Sequence, residues 1–202
     1  MLNRVTPAPR RARGFTLIEL MVTISLLGLL LGLAAPSFSL WTRNAQVRTV
    51  SDALQNGTRL AQTEAVRRNR QVVFFLSNDA ACSATTAPAA NGSNWAIRTV
   101  PLTAGDPVET VQCGNLADTA GGVAITGPTA ICFNSMGRQA ANASPGAGSA
   151  TCTLAASGVS SYDIAALGSD RPLRVIVTLG GQVRQCDPAR TLSATAPDGC
   201  PA

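Results

Sequence analysis

Apolar residues predominate in one stretch near the start of the chain, from Phe15 to about Pro36. The polar residues within it are Thr16, Glu19, Thr23 and Ser25. At a helical rise of about 1.5 Å, these roughly 21 residues are long enough to cross a bilayer. The pattern therefore predicts a membrane helix. Pro36 has no backbone N–H, so we expect it to kink this helix near the outer membrane surface.

A second apolar pattern follows with helical spacing. Val47, Val50, Leu54, Gly57 and Ala61 recur at intervals of three and four residues. The charged residues that lie off this stripe are Arg43, Arg48, Asp52, Arg59 and Arg67. Such a stripe is typical of a helix that packs on a core. We expect one helix from Phe15 to about Arg67, with its first half in the membrane and its second half on a globular domain.

From residue 71 the helical period stops, and short β-rich runs alternate with clusters of Gly, Pro, Ser, Ala and Asn. The candidate strands are Gln71–Leu76, Trp95–Leu102, Val123–Thr126, Ala130–Ser135, Ser161–Ala165, Pro172–Leu179 and Gln182–Cys186. The segments 77–94 and 138–158 are long and rich in small residues, which predicts surface excursions.

The clearest tertiary signal is a hairpin in which Gly180 and Gly181 separate two β-rich runs. Two glycines favour a type I′ turn of two residues. That turn would place Arg184 opposite Val177 and on the face away from Arg174. A bulge or a longer turn would reverse this arrangement, because one step of register moves every side chain to the other face.

These elements predict an α+β fold, with a long N-terminal helix packed on an antiparallel β-sheet domain. We expect a basic N-terminal arm over residues 1–14, a membrane half of the helix over 15–36, an amphipathic half over 37–70, and a β-rich globular domain over 71–202. The globular part has about one domain's worth of chain.

The net positive charge of the chain is concentrated in the N-terminal arm, residues 1–14. The whole sequence has 16 basic residues, all arginine, and 11 acidic residues, for a net charge of +5. Four arginines lie in residues 1–14: Arg4, Arg10, Arg11 and Arg13. Without them the chain is close to neutral, so net charge gives no argument for a nucleic-acid partner. The basic arm is expected to stay on the cytoplasmic side.

Glu19 is the anomaly of the apolar stretch. A carboxylate at the centre of a membrane helix costs about 3 kcal/mol on insertion scales, and such residues are usually functional. A simple anchor would not carry it. The sequence therefore predicts that a positive charge from another group neutralises Glu19.

The run from Gly14 to Leu20, Gly-Phe-Thr-Leu-Ile-Glu-Leu, resembles the processing site of type IV prepilins and type II secretion pseudopilins. The resemblance implies that residues 1–14 are a leader, which a prepilin peptidase cleaves after Gly14, and that residues 15–36 are the half of the helix used in assembly. The same peptidase would methylate the new N-terminal amine of Phe15. It also implies that Glu19 pairs with the N-terminal amine of a neighbouring subunit. Opposite charges in a low-dielectric environment attract strongly and offset each other's desolvation.

Three later segments are similar to the GspH/FimT family of minor pilins and pseudopilins: Leu60–Arg68, Ile131–Gly137, and the strand Arg174–Val177 that runs into Gly-x-Val-Arg. The resemblance implies a pilin-like fold and partners that include other pilins through the N-terminal helix, a prepilin peptidase and the inner membrane. It implies a single-pass protein of the bacterial inner membrane with its C-terminal domain in the periplasm, later moved to a pilus or pseudopilus.

The six cysteines would then lie in an oxidising compartment, where disulfides persist. Six cysteines allow fifteen connectivities. We predict nearest-neighbour pairing: Cys82–Cys113, Cys132–Cys152 and Cys186–Cys200. The chain has neither a Cys-x-x-Cys pair nor a histidine, so we expect no metal site.

Three functions fit these features. The first is a minor pilin that acts in assembly of a type IV pilus or at its tip, and the second is pseudopilin H of a type II secretion system. The third is a DNA-binding minor pilin for natural transformation, since some FimT-type proteins carry Gly-Arg-x-Arg near the C-terminus. Here that segment is Gly181-Gln182-Val183-Arg184, so the first arginine is missing. The remaining candidates for phosphate contacts are Arg171, Arg174, Arg184 and Arg190.

An enzyme is the class that the sequence argues against. The chain has no histidine and no lysine, and no serine or cysteine has a nearby base in the sequence. We therefore expect no catalytic residues, no cofactor and no small-molecule substrate.

Overall fold

The computed structural model describes residues 14–103, 105–116 and 121–201, apart from the side chains of 34–36. The helix α1 spans Leu17–Arg67, which confirms the predicted long helix. Pro36 lies outside the described side chains, so its kink stays a prediction, as does the structure of leader residues 1–13. The chain divides into two compact units, Met1–Ser39 and Leu40–Ala202.

A helix that crosses a bilayer must be long enough and must consist mainly of apolar residues. Among the described residues, no single helix meets both requirements for crossing a bilayer. The helical segments Leu17–Leu33 and Ser37–Arg67 meet them when taken as a pair.

The described part of the second unit contains ten strands in two five-stranded sheets. The first sheet has the order β3-β2-β1-β5-β6, and the second has the order β10-β9-β8-β7-β4. The strands are β1 Val72–Ser77, β2 Asn94–Thr99, β3 Thr110–Asn115, β4 Val123–Thr126, β5 Ala130–Phe133, β6 Gln139–Ala140, β7 Val159–Ala166, β8 Leu173–Thr178, β9 Val183–Thr191 and β10 Gly199–Cys200. All pairings are antiparallel except that of β9 with β10.

The predicted apolar stripe of α1 forms one wall of the main core. Val47, Val50, Leu54 and Ala61 are at most 1% exposed. Their core partners come from both sheets and include Phe74, Ile97, Phe133, Tyr162, Ile164, Val175 and Val177. The second half of the helix therefore fixes both sheets through one continuous apolar surface.

The first sheet is also buried on its other face. Val73 and Phe75 point away from the main core and pack in a second apolar cluster that includes Ala147 and Ala150. Those two alanines belong to the segment 138–158, most of which is exposed as predicted, and a few buried residues of this segment also cover the sheet. A small-residue loop can cover a sheet because alanine side chains allow close backbone approach.

The hairpin of β8 and β9 has a longer turn than the sequence predicted. Thr178 N–H donates to Gln182 O at 3.0 Å, and Gly181 N–H donates to Thr178 O at 2.8 Å. The loop therefore has three residues and ends on Gly181, whose φ is +88°. A type I turn followed by a left-handed glycine has this form, so the predicted type I′ turn is wrong.

The register of the strands follows from this turn. Val177 pairs with Val183, and Ile176 pairs with Arg184. Arg184 therefore lies on the same face of the second sheet as Arg174. The prediction from a two-residue turn, which put these arginines on opposite faces, is wrong, and the reversal expected for a longer turn is observed.

Candidate assembly site

The candidate assembly segment is Gly14–Leu33, which comprises the N-terminal part of α1 and the three residues before it. Thr16 caps the helix: its Oγ1 accepts a hydrogen bond from Glu19 N–H at 3.3 Å, and its carbonyl accepts one from Leu20 N–H at 3.2 Å. A threonine followed three residues later by glutamate is typical of a helix start. The helix therefore begins just after the predicted cleavage position, and Glu19 lies in its first turn.

The electrostatics of this position favour an acid. The free N–H groups of the first turn carry partial positive charge, so a carboxylate there is stabilised relative to one in mid-helix. Glu19 is exposed, and within the described residues it forms no ion pair. Its carboxylate is therefore available to a cation from outside the described part of the chain.

The apolar side chains of the assembly segment are strongly exposed. Phe15 is 84% exposed and Leu17 is 77% exposed, and even Val22, the least exposed of the large apolar residues there, is 52% exposed. A continuous exposed apolar surface marks an interaction site for a membrane or another protein.

The polar side chains of the same segment do not interrupt this surface. Thr23 Oγ1 donates to Leu20 O at 2.9 Å, and Ser25 Oγ donates to Met21 O at 2.8 Å. The hydroxyl groups are therefore satisfied within the helix and need no water. Glu19 remains as the acidic group on an otherwise apolar surface.

Gly28 and Gly32 leave open space beside the helix. A Cβ atom built at either position would meet no atom within 4 Å. Residues four apart lie on one face of a helix, so both glycines open the same face. This space allows the backbone of another helix to approach closely.

All six cysteines are paired in the structure. The disulfides are Cys82–Cys113, Cys132–Cys152 and Cys186–Cys200, which confirms the predicted nearest-neighbour pattern. The first joins the segment 77–94 to β3, and the second joins β5 to the segment 138–158. The third joins β9 to β10. Each bridge thus fixes a segment that has little regular structure of its own.

The arginines proposed for DNA binding have partners within the domain. On the outer face of the second sheet, Arg174 Nε donates to Asp163 Oδ1 at 2.6 Å. Arg184 Nη2, on the same face, donates to Pro197 O at 2.8 Å and to Gly199 O at 3.3 Å. These contacts direct both guanidinium groups towards the protein's own oxygen atoms.

The other two proposed arginines lie near the ends of strands. Arg190 Nη1 is 3.1 Å from Asp198 Oδ2, and its Nε is 3.8 Å from Asp187 Oδ2. Arg171 is exposed in the loop between β7 and β8. The four arginines therefore do not form a patch free of acidic groups, and their role in DNA binding stays a prediction.

Sequence reasoning missed a buried arginine beside the first disulfide. Arg98 is 3% exposed, and its guanidinium lies 5.1 Å from the ring centroid of Phe75. It donates to Ser83 O at 2.7 Å and to Thr110 Oγ1 at 3.3 Å. Burial lowers the pKa of Arg98. Its contacts join the segment 77–94 to β3, a role that no local pattern around one arginine in a strand indicates.

Within residues 14–103, 105–116 and 121–201, no group of three or more His, Cys, Asp or Glu side chains is arranged to hold an ion.

Comparisons with known proteins give matches to families and to solved structures. Residues 9–35 match the family model of the prokaryotic N-terminal methylation motif. Residues 50–181, more than half of the chain, match the family model of the type II transport protein GspH. A comparison with curated proteins finds no match.

The similar solved structures are minor pilins and a GspH protein. Two crystal structures of the type IV minor pilin FimU from Pseudomonas aeruginosa are 13% and 12% identical, with TM-scores of 0.48 and 0.44. They cover 73% and 70% of this chain, and 96% of the FimU chain in both cases. The solution structure of GspH from E. coli is 14% identical, covers 74% of this chain and 94% of that chain, and has a TM-score of 0.42.

The two family models together cover the capped apolar segment with Glu19 and most of the two-sheet domain, and so confirm the resemblance stated from the sequence. The chain therefore belongs to the GspH family, whose members are structural, non-enzymatic proteins of the type IV pilin and pseudopilin class.

Proposed function

We propose that this chain is a minor pilin subunit of a type IV pilus, cleaved after Gly14 by a prepilin peptidase. In this proposal the mature chain is held in the inner membrane with its globular domain in the periplasm. It then enters a pilus, where it acts in assembly or at the tip. The observation that carries the proposal is the single acid, Glu19, in the first turn of a helix whose apolar side chains are exposed.

The proposed step is a charge pair between subunits. Cleavage creates a positively charged amine on Phe15, and methylation leaves that charge in place. The amine and the Glu19 carboxylate would each be costly to bury alone; for comparison, a carboxylate at the centre of a membrane helix costs about 3 kcal/mol on insertion scales. Paired across two subunits, they attract strongly in a medium of low dielectric constant. The pair would also fix how far one helix is shifted along the next.

Gly28 and Gly32 support the same proposal through shape. They lie beyond the charge pair on the same helix, where the monomer leaves open space for a neighbouring backbone. Close helix packing is one of the main sources of association energy in lipid.

The proposal is tested by replacing Glu19 in the full chain. We expect Glu19→Ala to be processed and to accumulate in the membrane with a folded globular domain, but to be lost from sheared pili. Thr23→Ala is the matched control, because it removes a polar group one turn further along that is satisfied within the helix. Normal incorporation of Glu19→Ala, or a mature N-terminus other than methylated Phe15 by mass spectrometry, would overturn the proposal.

A pseudopilin of a type II secretion system is the second candidate. It is favoured by the match of residues 50–181 to the type II transport protein GspH. The helix and the charge pair would act in the same way in either filament. Deletion of the gene distinguishes the two, because a minor pilin affects pilus number and twitching motility whereas a pseudopilin affects the amount of secreted enzymes.

A further inference from the structure

The loop between β7 and β8, residues 167–172, presents an apolar side chain to solvent. Leu167 is 92% exposed, which makes it the most exposed large apolar side chain within the described residues. An isolated exposed leucine is ordinary on a protein surface. This one differs because the loop that carries it is held firmly.

Several hydrogen bonds fix the loop to itself and to α1. Arg43 Nη1 donates to Leu167 O at 2.9 Å, and Asn44 Nδ2 donates to Asp170 Oδ1 at 2.7 Å. Ser169 Oγ donates to Ala166 O at 2.8 Å. The outward position of Leu167 is thus set by the helix.

The residues that hold the loop lie at the start of the globular unit. In the sequence, Arg43 and Asn44 come ten and eleven residues after Leu33, the last residue of the exposed apolar segment. Trp41, between them and that segment, is 66% exposed. Tryptophan is enriched where a membrane helix leaves the hydrocarbon and enters the headgroup layer.

The charged residues of the β7–β8 loop and of the helix segment that holds it are mostly basic. The stretch from residue 40 to residue 51 contains Arg43 and Arg48 and no acid, and the loop contributes Arg171 and Asp170. Arg171 is exposed, and the Asp170 carboxylate accepts the hydrogen bond from Asn44. Arginines at this level attract anionic headgroups, while an apolar side chain inserts between them.

We propose that the β7–β8 loop is a lipid-contact loop, in which Leu167 inserts into an anionic phospholipid surface and Arg171 binds its headgroups. This inference rests on the proposed function, since it applies to the stage at which the mature chain is held in the membrane. The contact holds the globular domain against the bilayer and is released when the subunit enters a filament.

The test uses the full mature chain in lipid nanodiscs of phosphatidylethanolamine and phosphatidylglycerol. An environment-sensitive fluorescent amino acid replaces Leu167 in one variant and Leu102 in the control. Leu102 is also strongly exposed, at 71%, but follows β2 beside Val100, which binds Arg70 just past the other end of α1. Lipids brominated near the headgroup quench any fluorophore that touches the interface.

We expect several-fold stronger quenching at position 167 than at position 102. Arg171→Gln should lower the ratio of docked to free loop roughly fivefold, which corresponds to one arginine at an anionic surface. Replacing phosphatidylglycerol with phosphatidylcholine should weaken quenching in the same direction.

Trp41 separates the two proposals. Quenching of Trp41 with equal, weak quenching at positions 167 and 102 would overturn the lipid-contact loop and leave the membrane stage intact. A blue shift at position 167 without quenching would also overturn it, because a neighbouring protein would then cover the loop. If Trp41 is not quenched either, the membrane placement itself is wrong. Trp95, which is only 6% exposed, serves as the internal reference.

Discussion

Glu64 and Arg68, one helical turn apart at the end of α1, are joined by a hydrogen bond of 2.7 Å from Nε to Oε2. Glu64 also accepts hydrogen bonds of 2.8 and 2.6 Å from Arg67. Arg68 in turn donates to Glu109 in the segment before β3. This network joins the end of the helix to the first sheet, and the i,i+4 spacing of Glu64 and Arg68 is the signal by which the sequence could have indicated it.

The network predicts a loss of stability in acid. Hydrogen bonds from Arg67 and Arg68 lower the pKa of Glu64 from 4.5 to about 2. A group whose pKa is lower in the folded state stabilises the fold above its unfolded pKa and loses that contribution as pH falls through the folded value. We expect the free energy of unfolding of the full chain in detergent to fall between pH 4.5 and pH 2.

Glu64→Gln isolates this contribution, because a neutral amide cannot titrate. The difference in unfolding free energy between the two proteins should be largest near neutral pH and shrink through that window. Glu109→Gln is the control: its pKa is also lowered, chiefly by Arg68, but its side chain is 57% exposed, so its effect should be smaller. Parallel pH profiles for the original chain and Glu64→Gln would contradict the prediction.

The β8–β9 turn predicts effects of different size for alanine substitution at its two glycines. Gly181 has a φ of +88°, and a Cβ there would lie 1.9 Å from Gly137 O. Gly181→Ala should therefore lower the unfolding free energy by at least about 2 kcal/mol, through backbone strain and a clash that the hairpin cannot relieve locally.

Gly180→Ala is the matched control for this turn. The nearest atom to a Cβ at Gly180 is Thr178 Oγ1 at 3.8 Å, and its φ is not positive. Gly180→Ala should therefore change the unfolding free energy of the protein by less than about 1 kcal/mol. Chemical denaturation of the three proteins in the same detergent measures both effects. Equal losses at the two positions would mean that the turn is the two-residue form after all.

Local periodicity was sufficient for some parts of this fold and not for others. The stripe from Val47 to Ala61 repeats every turn, so its burial follows from the sequence whatever it packs against. The face of Arg184 depends on whether the turn has two or three residues, and two glycines permit both. The pairing of Cys186 with Cys200 was predictable because no other cysteine lies between them in the sequence.

Strands β3, β6 and β10 were not predicted, because none of them carries a periodic pattern of apolar and polar residues. β3 is an edge strand that is half-exposed on both faces, so it shows no alternation of apolar and polar residues. β6 and β10 have two residues each, too few for any periodic signal. For Arg98 and Glu109, the partners are brought close by the chain's path between strands, which a single sequence does not specify.

The third disulfide predicts how firmly the C-terminal tail is held. Cys186 and Cys200 close a loop of 14 residues and join β9 to the two-residue β10. Replacing both with serine should lower stability by about 3 kcal/mol on the chain-entropy account. It should also open the tail to limited proteolysis between residues 188 and 201.

The hydrogen bonds of the tail provide the comparison. Leu192 N–H donates to Cys200 O at 2.9 Å, and Arg184 donates to Pro197 O at 2.8 Å. If these bonds alone were sufficient, the double serine variant would resist protease as well as the original chain. Arg184→Lys is the control, because its disulfide is intact and its C-terminal tail should therefore still resist the protease.

Tyr162 predicts a substitution that stabilises the protein. Its side chain is completely buried, its ring meets Phe74 edge-on with centroids 6.0 Å apart, and burial raises the pKa of its hydroxyl. Within the described residues that hydroxyl has no hydrogen-bond partner. A buried polar group without a partner costs free energy, so Tyr162→Phe should raise the unfolding free energy by about 1 kcal/mol.

Tyr162→Leu distinguishes the hydroxyl from the ring. It removes both the unpartnered oxygen and the aromatic contact with Phe74, and should destabilise the chain by about 2 kcal/mol because a cavity replaces the ring. Denaturant titration of the three proteins separates the two contributions. A loss of more than about 1 kcal/mol in Tyr162→Phe would show that the hydroxyl is satisfied by a buried water, since a group that is hydrogen-bonded in the core cannot be removed without cost. The sign of this single change therefore reports whether the centre of the core, between α1 and the second sheet, is dry.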